Sequence, residues 1–200
     1  MTLAVVTAGL RRPSSTRLLA DRLAVATAAA AGDRLNGLDV AVIEVRDHGH
    51  DLVNHLVSGY PSPELRPALD LVADATGLIA VTPTISASYS ALFKAFFDVL
   101  EEDALAGTPV LIAATGGTAR HSLALEHVVR PLFTHLGAEV VPTSVFAAPE
   151  DWGGAVAPSP LGHRIDRAAA QLAAMMAGRD ARTRRDPFAP TDFADLLDAG

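Results

Sequence analysis

Short runs of aliphatic residues alternate along this chain with longer stretches in which apolar residues recur every three or four positions. The first pattern predicts strands buried on both faces, and the second predicts amphipathic helices. Leu3–Val6 reads as a first strand and Ser15–Ala31 as a first helix closed by Gly32. Val40–Val45 reads as a second strand. Arg46–Ser62 scatters His, Gly and Pro through its length and reads as an irregular excursion with room for a short helix. Pro63–Ala75 is a second helix, with Pro63 and Glu64 suited to its first turn. Gly77–Thr82, holding Leu78-Ile79-Ala80-Val81, is a third buried strand. Ala91–Leu100 follows as a third helix, Pro109–Ala114 as a fourth strand, and Ser122–Leu136 as a fourth helix ended by Gly137. Glu139–Val141 is a short fifth strand that resumes at Ser144–Phe146, and Pro160–Ala177 is a fifth helix.

Five β–α units in alternation predict an α/β fold: a doubly wound parallel sheet with helices on both faces. Right-handed crossovers and this length suit the strand order 2-1-3-4-5. The direction of winding then switches between strands one and three. The loops after those strands, Thr7–Arg17 and Thr82–Ser90, flank one crevice, and the loop after strand four, Thr115–His121, borders it. No internal repeat interrupts this scheme. The expected organisation is one domain over residues 1–177 and a C-terminal tail over 178–200. The tail carries Pro187-Phe188 and a short helical pattern at Phe193–Leu197; it reads either as docked on a neighbour or as disordered, and its two phenylalanines favour docking slightly.

Composition narrows the function classes. Half of the 200 residues are hydrophobic and mean hydropathy is +0.27, enough for one well-buried core. No apolar run approaches the roughly 20 residues of a membrane span, and no basic stretch precedes an apolar one at the N-terminus. The expectation is a soluble cytoplasmic protein. Cysteine is absent, which excludes disulfides, thiolate metal sites and thiol nucleophiles. A net charge of −7 argues against a nucleic-acid partner, which needs a basic face. An anionic ligand must therefore be met by local positive charge, and apart from Lys94 every formal cation of the side chains is an arginine.

The first loop supplies such charge. Gly9 permits a tight turn; Arg11, Ser14, Ser15 and Thr16 are donors suited to clamping a phosphate at the start of a helix. The loop is neither a P-loop nor a dinucleotide fingerprint, because G-x-x-x-x-G-K-[ST] and G-x-G-x-x-G are both missing. An ordinary polar loop capped by Ser14 or Ser15 is the competing reading. The second loop, Thr82-Pro83-Thr84-Ile85-Ser86-Ala87-Ser88-Tyr89-Ser90, is rich in hydroxyls. Its backbone groups suit a planar polar heterocycle read edge-on, with Ile85 and Tyr89 as cover; the alternative is a capped turn with Ser88 as N-cap. In the third loop, Thr115-Gly116-Gly117-Thr118, two glycines let backbone approach a ligand closely, or simply make a flexible turn.

Taken together, the three loops resemble those of the flavodoxin-like NADPH-dependent FMN reductase family. That family's first loop is similar to Gly-Ser-x-Arg followed by hydroxyl residues, where this chain has Ala8-Gly9-Leu10-Arg11 and then Ser14-Ser15-Thr16. Its second is similar to Thr-Pro-x-Tyr-Asn-x-Ser, then a Leu-Lys pair and an Asp. Here Thr82-Pro83-Thr84-Ile85-Ser86-Ala87-Ser88 is followed by Phe93-Lys94 and Asp98. The third resembles a Gly-Gly turn leading to Leu136-Gly137-Ala138-Glu139-Val140-Val141-Pro142. The chain departs from the pattern where Ile85 replaces an aromatic residue, Gly9 a serine, and Ser90-Ala91 a Pro-Gly pair.

The resemblance implies a flavodoxin-like fold and an NAD(P)H:FMN oxidoreductase. The FMN phosphate would lie on Gly9, Arg11, Ser14, Ser15 and Thr16. The ring would lie on Pro83, Thr84, Ile85, Ser86, Ala87, Ser88 and Tyr89, and near Thr115, Gly116, Gly117 and Thr118. NADPH or NADH would supply the hydride, and no protein acid, base or nucleophile is required. The likeness is closest to reductases that supply luciferase-like flavin monooxygenases. A flavin-retaining quinone or azo reductase and a flavodoxin-like electron carrier are the alternatives. A homodimer or homotetramer is implied as well, with Phe93, Phe96, Phe97 and Phe133 as candidate apolar surface against core packing. His48, His50 and His55 beside Asp47 and Asp51 are read as a solvated loop rather than a metal site. Lys94 is read as a solvated helix-face residue, with lining the crevice or holding a partner subunit across helix three as the alternatives.

Overall fold

A computed structural model describes residues 1–35, 37–153 and 159–178. The tail features read at Phe188 and at 193–197 lie outside the described residues. Strand β1 (Thr2–Thr7) pairs in parallel with both β2 (Asp39–Glu44) and β3 (Gly77–Ile85), and β3 pairs in parallel with β5 (Pro109–Thr115). β4 (Ser88–Tyr89) folds back antiparallel on β3. The last strand comes in two pieces, β6 (Glu139–Val140) and β7 (Val145–Ala147), each parallel to β5. The order β2-β1-β3-β5-β6 is the doubly wound arrangement expected from the β–α alternation.

Alternation along each strand splits the core in two, because successive side chains point to opposite faces. Leu3, Val5, Ile79, Val81, Leu111 and Ala113 face α1 (Ser15–Ala31) and α6 (Pro160–Ala177). Ala4, Val6, Leu78, Ala80, Val110 and Ile112 face the other layer. That layer comprises α2 (Gly49–Ser58), α3 (Arg66–Ala73), α4 (Ala91–Asp98) and α5 (Arg130–His135). The near-continuous aliphatic strands follow from this two-sided burial.

Three elements sharpen the expectation. The excursion after strand two contains a regular helix, α2, ended by Gly59 in the left-handed region (φ 79°). The fourth helix is broken: a π-helical turn at Leu125–Val129 precedes α5. The four phenylalanines are fully or almost fully buried, and Phe97 packs edge-on against Phe93 (4.9 Å), Phe96 (5.4 Å) and Phe133 (4.8 Å). They form the core between α4 and α5, so they are not the surface on which an oligomer would rest. Among the described residues no helix is long and apolar enough to cross a membrane.

Candidate functional site

The first loop leaves β1 at Thr7, and the Ala8 amide donates to the Val81 carbonyl at 3.0 Å, pinning its start beside β3. Ser14 is extended (φ −119°, ψ 117°) and caps α1 by accepting from the Arg17 amide at 3.1 Å. A Cβ on Gly9 would stand 2.0 Å from the Ser14 hydroxyl and 3.2 Å from Thr16 Cβ. Position 9 is therefore reserved for glycine by close approach. Gly9→Ser, which would restore the serine of the family pattern, has to displace the cap. It is expected to destabilise the protein by about 1 kcal/mol. Chemical denaturation of that variant checks this.

Around this loop the arginines divide. Arg17 donates to Asp21 at 2.7 Å and to Glu44 at 2.5 Å. Its hydrogen bond with Asp21, reinforced by Glu44, raises its pKa. Arg12 faces Asp47 at 3.7 Å. Arg11 is exposed and pairs with no carboxylate among the described residues. The first turn of α1 contains no acidic residue, so its free amides and positive dipole end stay uncompensated. Ser15 is exposed in that turn.

The second loop is more ordered than the open, hydroxyl-rich segment the sequence suggests. β3 runs on through Pro83 and Thr84 to Ile85, then turns back into β4, with Thr84 opposite Tyr89 and Ile85 opposite Ser88. Ser86 and Ala87 make the turn at φ 49° and 64°. Two successive positive φ values match the twist of a tight hairpin, but each costs a side-chain-bearing residue about 1–2 kcal/mol. Thr82 holds the base, accepting from the Ser90 amide at 3.0 Å and donating to the Pro83 carbonyl at 3.0 Å. Ser90, not Ser88, is the N-cap of α4, accepting from the Phe93 amide at 3.2 Å. Tyr89 rests against Phe93, while Ile85 at the tip is 44% exposed.

The third loop continues from β5. Gly116 donates to the Ala147 carbonyl at 3.1 Å, and a Cβ there would lie 2.7 Å from Phe146 Cζ. Gly117 has open space around it, and Thr118 accepts from the Arg120 amide at 3.4 Å. Thr115 stands opposite Pro83 in the sheet, which joins loops two and three. Its buried hydroxyl also meets that of Thr16 at 2.8 Å, across 99 positions of sequence. Thr16 is thus a buried link between loops one and three rather than an exposed donor. Thr7, at the end of β1, is 2% exposed and its hydroxyl has no hydrogen-bond partner among the described residues. The structure therefore brings all three loops to the carboxyl edge of adjacent strands, where open α/β sheets bind ligands.

Other candidates separate from this edge. Lys94 pairs with Asp98 one turn along α4, the solvated reading. No group of three or more His, Asp or Glu able to hold a metal ion exists among the described residues. A cavity of about 460 Å³ between α2, α3 and the end of α4, lined among others by Tyr60, Arg66 and Asp70, shares no residue with the loops.

A doubly wound sheet of this order, with three loops meeting at its switch point, makes this a flavodoxin-like α/β protein. The model of the NADPH-dependent FMN reductase family matches residues 1–153, and the chain belongs to that family. An FMN reductase (NADPH) of Pseudomonas aeruginosa is 38% identical over 175 residues, covering 87% of this chain and 91% of that protein. An NADH-dependent FMN reductase, SfnF, of Pseudomonas putida is 36% identical over 146 residues, covering 73% and 76%. The X-ray structure of an oxidoreductase from Corynebacterium diphtheriae is 44% identical, with a TM-score of 0.85 over 90% of this chain and 98% of that one. The chain is accordingly an oxidoreductase whose reactants are FMN and a nicotinamide nucleotide.

Proposed function

We propose that residues 1–177 transfer a hydride from NAD(P)H to FMN and release the reduced flavin to a flavin-dependent monooxygenase. The observation that carries this reading is the buried Thr16–Thr115 hydrogen bond, which locks the donor-rich first loop to the glycine-rich third loop beside Pro83. Gly9 and Gly116 have their Cβ positions filled by Ser14 and Phe146, so both glycines serve the packing that holds the first and third loops in place. The unpartnered Thr7 hydroxyl lies at the same edge.

In this reading Arg11, Ser15 and the amides of the first turn of α1 hold the phosphate, with Gly9, Ser14 and Thr16 shaping the loop. Pro83–Tyr89 supplies an edge and a cover for the ring, and Thr115–Thr118 bounds its far side. When bound, FMN would supply the redox chemistry as acceptor of the hydride, with the accompanying proton drawn from solvent. The protein's part is to bind, orient and exclude water, so no side chain is assigned as acid, base or nucleophile. Ile85 offers an aliphatic cover where the family pattern has an aromatic ring, which suits a flavin that is released. A homodimer or homotetramer is part of the proposal and is read by light scattering.

Steady-state oxidation of NADPH and of NADH, with and without added FMN, FAD or riboflavin, tests the reading. Oxidation is expected to depend on added FMN, and the protein to leave a sizing column colourless. A protein that neither binds FMN nor oxidises either nucleotide overturns it. A yellow protein that reduces quinones instead moves the assignment to a flavin-retaining reductase.

A further inference from the structure

We propose that Arg46 is a positioning residue that sets the discrimination between FMN and riboflavin by holding the main chain of the first loop. The inference rests on the reading of that loop as the phosphate site. Arg46 lies in the turn Val45–His48 just past β2, and its side chain is 15% exposed. Its Nη1 donates to the carbonyl of Arg11 at 3.0 Å, across 35 positions of sequence. Its Nη2 pairs with Glu44, and its Nε, which has no hydrogen-bond acceptor, faces the Asp47 carboxylate at 3.7 Å.

These contacts continue in both directions. Glu44 also takes Arg17, which in turn binds Asp21, and Asp47 also faces Arg12. The series Arg12–Asp47–Arg46–Glu44–Arg17–Asp21 alternates in sign from the first loop, past the end of β2, into α1. Three guanidinium groups meet three carboxylates, so the series is neutral within itself. Arg11 lies outside it and is the arginine of the first loop left without a carboxylate among the described residues. A phosphate approaching the loop therefore meets one uncompensated guanidinium beside the amide end of α1. Its selectivity depends on where that residue is held. Among the described residues, the hydrogen bond from Arg46 is the contact that fixes the Arg11 carbonyl. A planar guanidinium fork reaches that carbonyl with one terminal nitrogen and Glu44 with the other; the single nitrogen of an ammonium cannot occupy both places.

The test measures dissociation constants for FMN and for riboflavin, which lacks the phosphate, by flavin fluorescence, together with steady-state kinetics. Arg46→Met keeps the stem and removes the fork. It is expected to weaken FMN about tenfold while riboflavin changes less than twofold, and the kinetic change is expected in KM for FMN rather than in kcat. Combined with Arg11→Ala, it is expected to add little beyond Arg11→Ala alone, because both act on one contact. Arg46→Lys, which retains charge opposite Glu44 and Asp47, keeps the test available if the methionine variant does not fold, and is expected to lose the same discrimination. A wild-type FMN-to-riboflavin ratio in either folded variant, or equal weakening of both flavins, overturns the proposal. Fully multiplicative effects of the two substitutions do so as well. Arg11→Ala separates the layers: if it leaves FMN affinity unchanged, the phosphate reading of the loop fails, whereas an effect of Arg11→Ala with an inert Arg46→Met removes only Arg46.

Discussion

Phe97→Ala is expected to lower stability by about 3–5 kcal/mol, the range for deleting a buried aromatic ring. Phe97 is 1% exposed and is the ring that Phe93, Phe96 and Phe133 all contact, so truncation removes three edge-on pairs and opens a cavity between α4 and α5. Neighbouring rings of this size cannot collapse into the space without leaving their rotamers. For a chain of this length the loss corresponds to a fall in Tm of roughly 6–20 °C. The cost reaches the site as well. Phe93 carries the Ser90 cap at its amide and Tyr89 against its ring, so loosening α4 loosens the hairpin above it. Denaturant unfolding of Phe97→Ala alongside Lys94→Met checks this. The lysine lies on the outer face of the same helix in a partly exposed ion pair, and its loss is expected within about 1 kcal/mol of wild type. A shift below about 1 kcal/mol for Phe97→Ala would mean the cluster does not carry the core.

Much of this fold is legible in the order of apolar runs. Strand segments buried on both faces have to be aliphatic, and residues 3–6, 78–81 and 110–114 are. The parallel order and the meeting of three loops at one edge then follow from crossover handedness. What escaped the sequence did so for identifiable reasons. Only the extent of α2 was hidden, because Gly49 and Gly59 bracket it and His48, His50 and His55 fall in or beside it, although Leu52 and the residues around it keep a helical spacing. The hairpin Ile85–Ser88 was hidden because its two central residues are Ser and Ala, where positive φ normally calls for Asn or Gly. A protein that places Ser86 and Ala87 there holds the turn through its stems, with Thr82 and Ser90 bonded at the base. Counting phenylalanines could not separate core from surface; only the packing of α4 on α5 does.

The site was legible to a different depth in each part. Residue types marked the three loops as candidates, since hydroxyls, arginines and paired glycines are what an anion and a flat ring require. Their division of labour was not marked. Thr16 and Thr115 use their hydroxyls on each other, Ser14 uses its own on the helix end, and Arg12 and Arg17 are spent on carboxylates. These pairings join residues tens of positions apart, and no local pattern encodes them. Glu44 and Arg46 went unremarked for the same reason: a charged pair at the end of a strand reads as solvated until the first loop is seen to lie on it.

That division makes Arg11→Ala the substitution with the largest expected effect on binding. The remaining arginines of the first loop already face carboxylates, so none stands in for it. A charge-assisted contact to phosphate is worth about 1.5–3 kcal/mol, and FMN is expected to bind about 10–100-fold more weakly. Riboflavin, with no phosphate to lose, is expected to change little. Hydride transfer at saturating FMN is expected to stay near wild type, because the phosphate lies remote from the reacting atoms and its contacts position the flavin without entering the chemistry. Rising ionic strength should narrow the gap between variant and wild type, since salt screens an exposed guanidinium but not the buried loop contacts. Arg12→Ala is the internal control: its charge already faces Asp47, so its effect on FMN is expected to be several-fold smaller. If Arg12→Ala proved the more damaging of the two, the phosphate would lie on the Asp47 side of the loop, and Arg11 would be a bystander.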